Sequence, residues 1–154
     1  MGYTHYWYRV KVLDAKQFDK ASKDCGLICQ ELGVDIQFEY DNPKLPIFAE
    51  NEVRFNGAFD EGHETFHISE KFVSPDYRKE DGSRKKLIFA FCKTAYKPYD
   101  INVTCCLIVF KHYFGNDFEV FSDGESKDWQ PARDKCQEIL GYGKDFELDK
   151  DDDN

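Results

Sequence analysis

Leu87-Ile88-Phe89-Ala90-Phe91-Cys92, then Lys93-Thr94-Ala95-Tyr96-Lys97, then a long apolar run from Pro98 to Phe114 and a short one at Asp117–Phe121. This stretch decides the fold. The first six residues are apolar on both faces, as an inner strand requires. Pro98 stands where proline favours a helix start. Ile101, Cys105, Ile108, Val109 and His112 fall near one line, and Val103, Cys106, Leu107 and Phe110 widen it, so the helix is mostly buried. Gly115 ends it, and Asp117–Phe121 reads as another strand. A strand, a helix and a strand in succession form a right-handed crossover. The strands at 87–92 and 117–121 should therefore end at the same edge of a sheet.

Upstream, Thr4, Tyr6, Tyr8, Val10 and Val12 alternate with His5, Trp7, Arg9 and Lys11, which is the period of a half-buried strand. Asp14 with Gln17 three residues on is a helix start. Phe18, Ala21, Cys25, Ile28, Cys29 and Leu32 follow at helical spacing, and Gly33 stops them. Val34–Tyr40 alternates again, and Pro43 and Pro46 make the next stretch a loop or edge piece. Residues 53–59 and 63–72 read as a hairpin, and Ser74–Lys86 as a loop. Near the end, Asp128 suits a helix N-cap, Pro131 the first turn, and Ala132, Cys136, Ile139 and Leu140 an apolar stripe closed by Gly141.

The order β-α-β-β-β-β-α-β-α predicts an α+β class: a single domain over 1–144, with a mixed, mainly antiparallel sheet and helices packed largely on one face. A ferredoxin-like core with additions fits this order. With 154 residues and 41% apolar composition, the chain can build one self-sufficient core. The net charge is −9, of which −5 falls on residues 145–154 (six acids, one lysine), read as a solvated, disordered tail. A mildly acidic body argues against nucleic acid as a partner. No apolar run approaches the ~20 residues of a membrane span, and the start lacks the pattern of a secretory leader.

Six cysteines without a C-x-x-C pair give little support to zinc or disulfides. Reduced, core-packed thiols place the chain in a cytoplasmic or otherwise reducing compartment. His63 and His67, two strand residues four apart, would lie about 13 Å from each other, too far to share a metal. No metal site is expected, and no cofactor is named by the sequence.

Two groups of residues are candidate sites. The first lies where the strands at 87–92 and 117–121 end: Lys93, Thr94, Lys97, Ser122, Asp123 and Trp129. Ligands bind beyond the carboxyl ends of such strands, and helix N-termini with lysines and hydroxyls suit a phosphate. The second is a sheet face carrying His5, Trp7, Arg54, Asn56, His63 and His67, a platform for stacking and hydrogen bonding. The patterns G-x-S-x-G, H-E-x-x-H and G-x-x-x-x-G-K-[ST] are absent, and nothing in the sequence demonstrates catalysis. The function expected is binding of a phosphorylated or nucleotide-like small molecule at the first group. The alternative is an acidic, aromatic-rich protein-interaction or inhibitor module without catalytic activity.

The segment Met1-Gly2-Tyr3-Thr4-His5-Tyr6-Trp7, the block Phe91-Cys92-Lys93-Thr94-Ala95-Tyr96-Lys97-Pro98-Tyr99-Asp100, and the Ser122-Asp123-Gly124, Trp129 and Leu140-Gly141-Tyr142-Gly143 positions together resemble a set of short intracellular proteins from diverse microbes that open on an MGYTHYW-like segment. The resemblance covers most of the chain and implies no particular activity, fold or ligand.

Overall fold

The computed structural model describes residues 2–72, 78–80 and 86–150. Its central strand is β1 (Thr4–Arg9). Helix α1 (Ala15–Leu32) follows, started by the Asp14 carboxylate accepting the Gln17 N–H and stopped by Gly33 at φ +69°. Four short strands come next: β2 (Ile36–Gln37), β3 (Ile47–Ala49), β4 (Glu52–Gly57) and β5 (Phe66–Ser69). Then come β6 (Arg78–Glu80), β7 (Lys86–Lys93), α2 (Asp100–Phe114), β8 (Phe118–Ser122) and α3 (Gln130–Leu140).

These elements form a single α+β domain with two antiparallel sheets. The larger has the order β6-β7-β1-β8, and β1 is antiparallel to both neighbours. Counting only its own strands in chain order, the arrangement is 4-1-3-2, the split crossover of a ferredoxin-like core. The four strands β2–β5 are the addition, inserted between α1 and β6 and joined around β4. The single mixed sheet expected from the sequence is thus two sheets, and no hydrogen-bonded neighbours among the described strands are parallel. Strands β7 and β8 do run in the same direction, but β1 lies between them. Strand β6 falls in the stretch read as a loop, and β3 in the Pro-bounded piece.

The inner face of β1 carries His5, Trp7 and Arg9, all buried. Arg9 is 1% exposed and, among the described residues, has no carboxylate as a hydrogen-bond partner. Its guanidinium donates instead to the carbonyl oxygens of Val10, Ser69, Lys11 and Glu70. Burial lowers its pKa to about 10, so it is still charged at neutral pH. One side chain therefore ties the end of the larger sheet to the end of β5 in the smaller. The backbone bonds Leu13 N–H to Glu70 and Phe72 N–H to Lys11 reinforce that seam.

Helix α2 is buried almost all round, as its sequence requires, with α1, α3 and β8 against it. All six cysteines are free and buried. No helix among the described residues is long and apolar enough to cross a membrane.

Part of the stretch read as a solvated tail is docked. Phe146 is 9% exposed and stacks on Trp129 at 5.1 Å. The Asp149 carboxylate accepts the Val120 N–H at 2.8 Å and pairs with Lys111 Nζ at 3.1 Å. An aromatic ring and one well-aimed carboxylate outweigh the local charge, while residues 151–154 lie outside those described. Phe146→Ala should cost about 3 kcal/mol. For a domain of this size that is roughly 6–12 °C in Tm, measurable by thermal unfolding; an unchanged Tm would mean the segment is not held.

Candidate functional site

The register of β1 sets the geometry of the sheet edge. Thr4 lies opposite Lys93, and His5 opposite both Cys92 and Ser122, so the carboxyl ends of β7 and β8 flank the start of β1. The edge is locked by reciprocal bonds: Thr4 N–H to the Asp123 carboxylate at 3.0 Å, and Asp123 N–H to the Thr4 carbonyl at 2.9 Å.

At the centre is His5, fully buried. Its Nε2 lies 2.7 Å from Asp100 Oδ1, and its Nδ1 lies 2.7 Å from Ser122 Oγ. An ionised carboxylate only accepts, so Nε2 carries the proton, and in the neutral ring Nδ1 accepts the Ser122 hydroxyl proton. Asp100 Oδ1 also accepts the Thr94 hydroxyl at 2.5 Å. Ser122 Oγ accepts the Gly124 N–H at 2.9 Å. Tyr3 completes the group. Burial first, then the nearby Asp100 and Asp128 carboxylates, push its phenol up to about 12, against the opposing effect of the Ser122 hydroxyl. The phenol therefore keeps its proton at neutral pH. Trp129, fully buried, meets His5 edge-on at 5.1 Å and forms a wall behind it.

Of the first candidate group, Ser122 and Trp129 meet His5 directly, and Thr94 joins them through Asp100. Lys93, Lys97 and Asp123 lie around this cluster rather than in it. Lys93 runs along Gly2, where an added Cβ would sit 2.9 Å from its Cε. The Lys97 amine donates to the Asp60 carbonyl at 3.2 Å.

The second group does not form one face. His5 and Trp7 are on the buried side of the larger sheet, Trp7 at 1% exposure. Arg54 and His67 are register partners in the smaller sheet. There Arg54 pairs with Glu39 at 2.6 Å and Glu52 at 3.2 Å, and His67 pairs with Glu52 at 2.7 Å. Asn56 is buried and organises the turn after β4: its amide nitrogen donates to His63 O and Thr65 Oγ1, and its oxygen accepts from the Gly57 and His63 N–H groups. That work takes His63 out of the strand expected for it and leaves its residue exposed.

Tyr3, Tyr96 and Asp100 are the residues the sequence did not single out. Asp100 sits in the first turn of α2, and a carboxylate just after Pro98 was the available signal. Tyr96 stacks on Tyr3 with ring centroids 3.9 Å apart and is itself 71% exposed. Ala95 and Tyr96 both have left-handed backbones, φ +52° and +61°. Non-glycine residues persist there only when their surroundings fix them. Here the Thr94 and Ala95 N–H groups both donate to the Tyr3 carbonyl, and Lys97 N–H closes on Thr94 O. A separate cleft of about 560 Å³ lies where α2 ends beside residues 141–146, but its Lys111 is already paired with Asp149. Among the described residues no group of three or more His, Cys, Asp or Glu is arranged to hold a metal ion.

Gly124 carries a steric constraint, because a Cβ there would meet the Tyr3 hydroxyl at 2.2 Å. Gly124→Ala should destabilise the domain by about 1–3 kcal/mol, read from denaturant unfolding; a neutral result would mean the Tyr3 ring is loosely held. His67 gives a pH-dependent prediction. Burial and Arg54 depress its pKa below the ordinary 6.5 despite Glu52. The unfolded chain then binds the proton more readily, so stability falls as pH drops below about 6.5. His67→Gln should flatten that part of the stability–pH curve.

No family model, curated protein or solved structure matches this chain, so the chemistry of the site has to be read from its own geometry.

Proposed function

We propose that the chain binds a phosphorylated or nucleotide-like small molecule at the carboxyl ends of β7 and β8, in a reducing, cytoplasmic setting. The observation that carries this reading is the 93–97 turn. A strained backbone holds the exposed Tyr96 ring on top of Tyr3, between two lysines. A fixed aromatic ring with its outer face in solvent is a stacking platform for a planar base, worth about 1–3 kcal/mol per base. Lys93 and Lys97 bracket it with positive charge. The carboxylates nearby are engaged elsewhere: Asp100 by His5 and Thr94, Asp123 by the Thr4 N–H, and Glu64 by the Lys93 N–H at 2.6 Å. Among the described residues no carboxylate is paired with either lysine amine, and the Lys97 amine meets only the Asp60 carbonyl, which leaves its charge uncompensated.

Thermal unfolding against nucleotides and sugar phosphates tests this. A ligand at 100 times its Kd adds about 2.7 kcal/mol. That corresponds to roughly 5–10 °C here. Tyr96→Ala should remove the shift given by nucleotides, and Lys93→Glu with Lys97→Glu should remove it for every phosphorylated ligand. A flat panel with the unaltered protein overturns the reading.

One observation favours the second reading, an acidic aromatic interaction or inhibitor module. The outer face of the larger sheet carries Phe91, 49% exposed and stacked on Phe89 at 5.7 Å. Trp7 cannot serve such docking because it is buried, so Phe91→Asp is the substitution that would weaken capture of a partner. The double lysine reversal should then be near neutral.

A further inference from the structure

We propose that Ser122 is a nucleophile for small carboxylic esters, with His5 as its base and Asp100 as the group that orients the base. This goes beyond ligand binding and does not depend on the nucleotide reading. The observations are geometric. Three side chains distant in sequence form one hydrogen-bonded line, Asp100–His5–Ser122, with both links at 2.7 Å. That is the spacing a nucleophile, a base and an orienting carboxylate need. Asp100 is anchored in turn by Thr94, which fixes the ring's tautomer. His5 cannot swing away: it is fully buried, with Trp129 and Tyr3 both edge-on to it at 5.1 and 4.9 Å.

The two ends of the line, Asp100 and Ser122, are half-buried, while His5 between them is sealed from solvent. The Gly124 N–H holds Oγ in place, and the glycine leaves room beside it for the Tyr3 hydroxyl. That phenol stands beside Ser122 and keeps its proton at neutral pH, so it would be the donor to a developing oxyanion.

The reaction balances with water as the co-reactant. Ser122 Oγ attacks the carbonyl carbon, and its proton passes to His5 Nδ1. The tetrahedral intermediate collapses with cleavage of the ester C–O bond, and the departing alcohol takes the proton from Nδ1. A water molecule, deprotonated by Nδ1, then attacks the acyl carbon. The acyl C–O bond to Ser122 breaks, Ser122 regains its proton from Nδ1, and the carboxylic acid departs and ionises in solvent.

Diisopropyl fluorophosphate and 4-nitrophenyl acetate are the probes. With the full chain, the fluorophosphate should place one adduct on Ser122, located by peptide mass spectrometry. The acetate should give a burst of about one nitrophenolate per chain. Ser122→Ala should abolish both, and His5→Gln or Asp100→Asn should slow labelling at least about 100-fold. Thermal unfolding of each variant establishes that it is folded. The unaltered protein decides the matter even where a variant fails to fold: a folded chain left unmodified at Ser122, or modified elsewhere at the same rate, overturns the proposal. Neither probe involves a nucleotide, so failure here leaves the thermal-shift result standing, and a flat nucleotide panel leaves this labelling result standing.

Discussion

Two groups that ordinarily demand water, the His5 imidazole and the Arg9 guanidinium, are sealed on the inner face of β1. Burying such groups is tolerable only when every polar atom finds a partner. Arg9 meets this by gathering carbonyl oxygens from its own strand's exit and from the end of β5, which fastens the inserted sheet to the core. His5 meets it by bridging α2 and β8. Trp7 stands between them, packed on Phe66 and Phe118 from the two sheets. The arrangement of the whole molecule follows from where these three side chains can be satisfied.

Because β1 is central and antiparallel to both neighbours, its first residues meet the last residues of β7 and β8. The same crossover that makes a compact core therefore collects functional groups at one edge. Helix α2 adds Asp100 from its first turn, and the link from β7 to α2 adds Thr94 and the strained Tyr96. The edge has two layers: a buried line of Asp100, His5 and Ser122, and an outer shelf of Tyr96 flanked by lysines. Tyr3 touches both, stacking on Tyr96 and reaching Ser122 and Gly124.

Burial raises the thiols of Cys25, Cys92 and Cys106 well away from ionisation, and the Cys29–Cys106 sulfurs at 3.9 Å are packed as neighbouring small hydrophobes. Five of the six cysteines lie on α1, α2 and α3 and pack among those helices, while the Cys92 thiol on β7 donates to the Glu64 carbonyl. The aromatic residues divide differently: one set fills the core, and another, on the outer face of β1 and β7, stacks ring on ring at the surface.

Local pattern alone settled the α+β class, the three helices and the edge where β7 and β8 end. Helical spacing, Asp14 and Gly33 fix α1, and an apolar run bounded by Pro98 and Gly115 fixes α2. Period 2 in residues 4–12 also shows that β1 has two unlike faces. It does not show which one is inside. Tyr6 and Tyr8 look like the inward set, yet His5, Trp7 and Arg9 are buried, because their partners come from 60 to 117 residues away and no local signal announces them. The edge likewise unites Thr94, Ser122 and Trp129, whereas His67 belongs to the other sheet and His63 to the connection between β4 and β5. Docking of Phe146 and Asp149 was hidden for a related reason: a charged, short segment reads as solvated until the groove and the unpaired Val120 N–H that receive it exist. Periodicity is a property of neighbours along the chain, whereas satisfaction of buried polar groups is a property of neighbours in space.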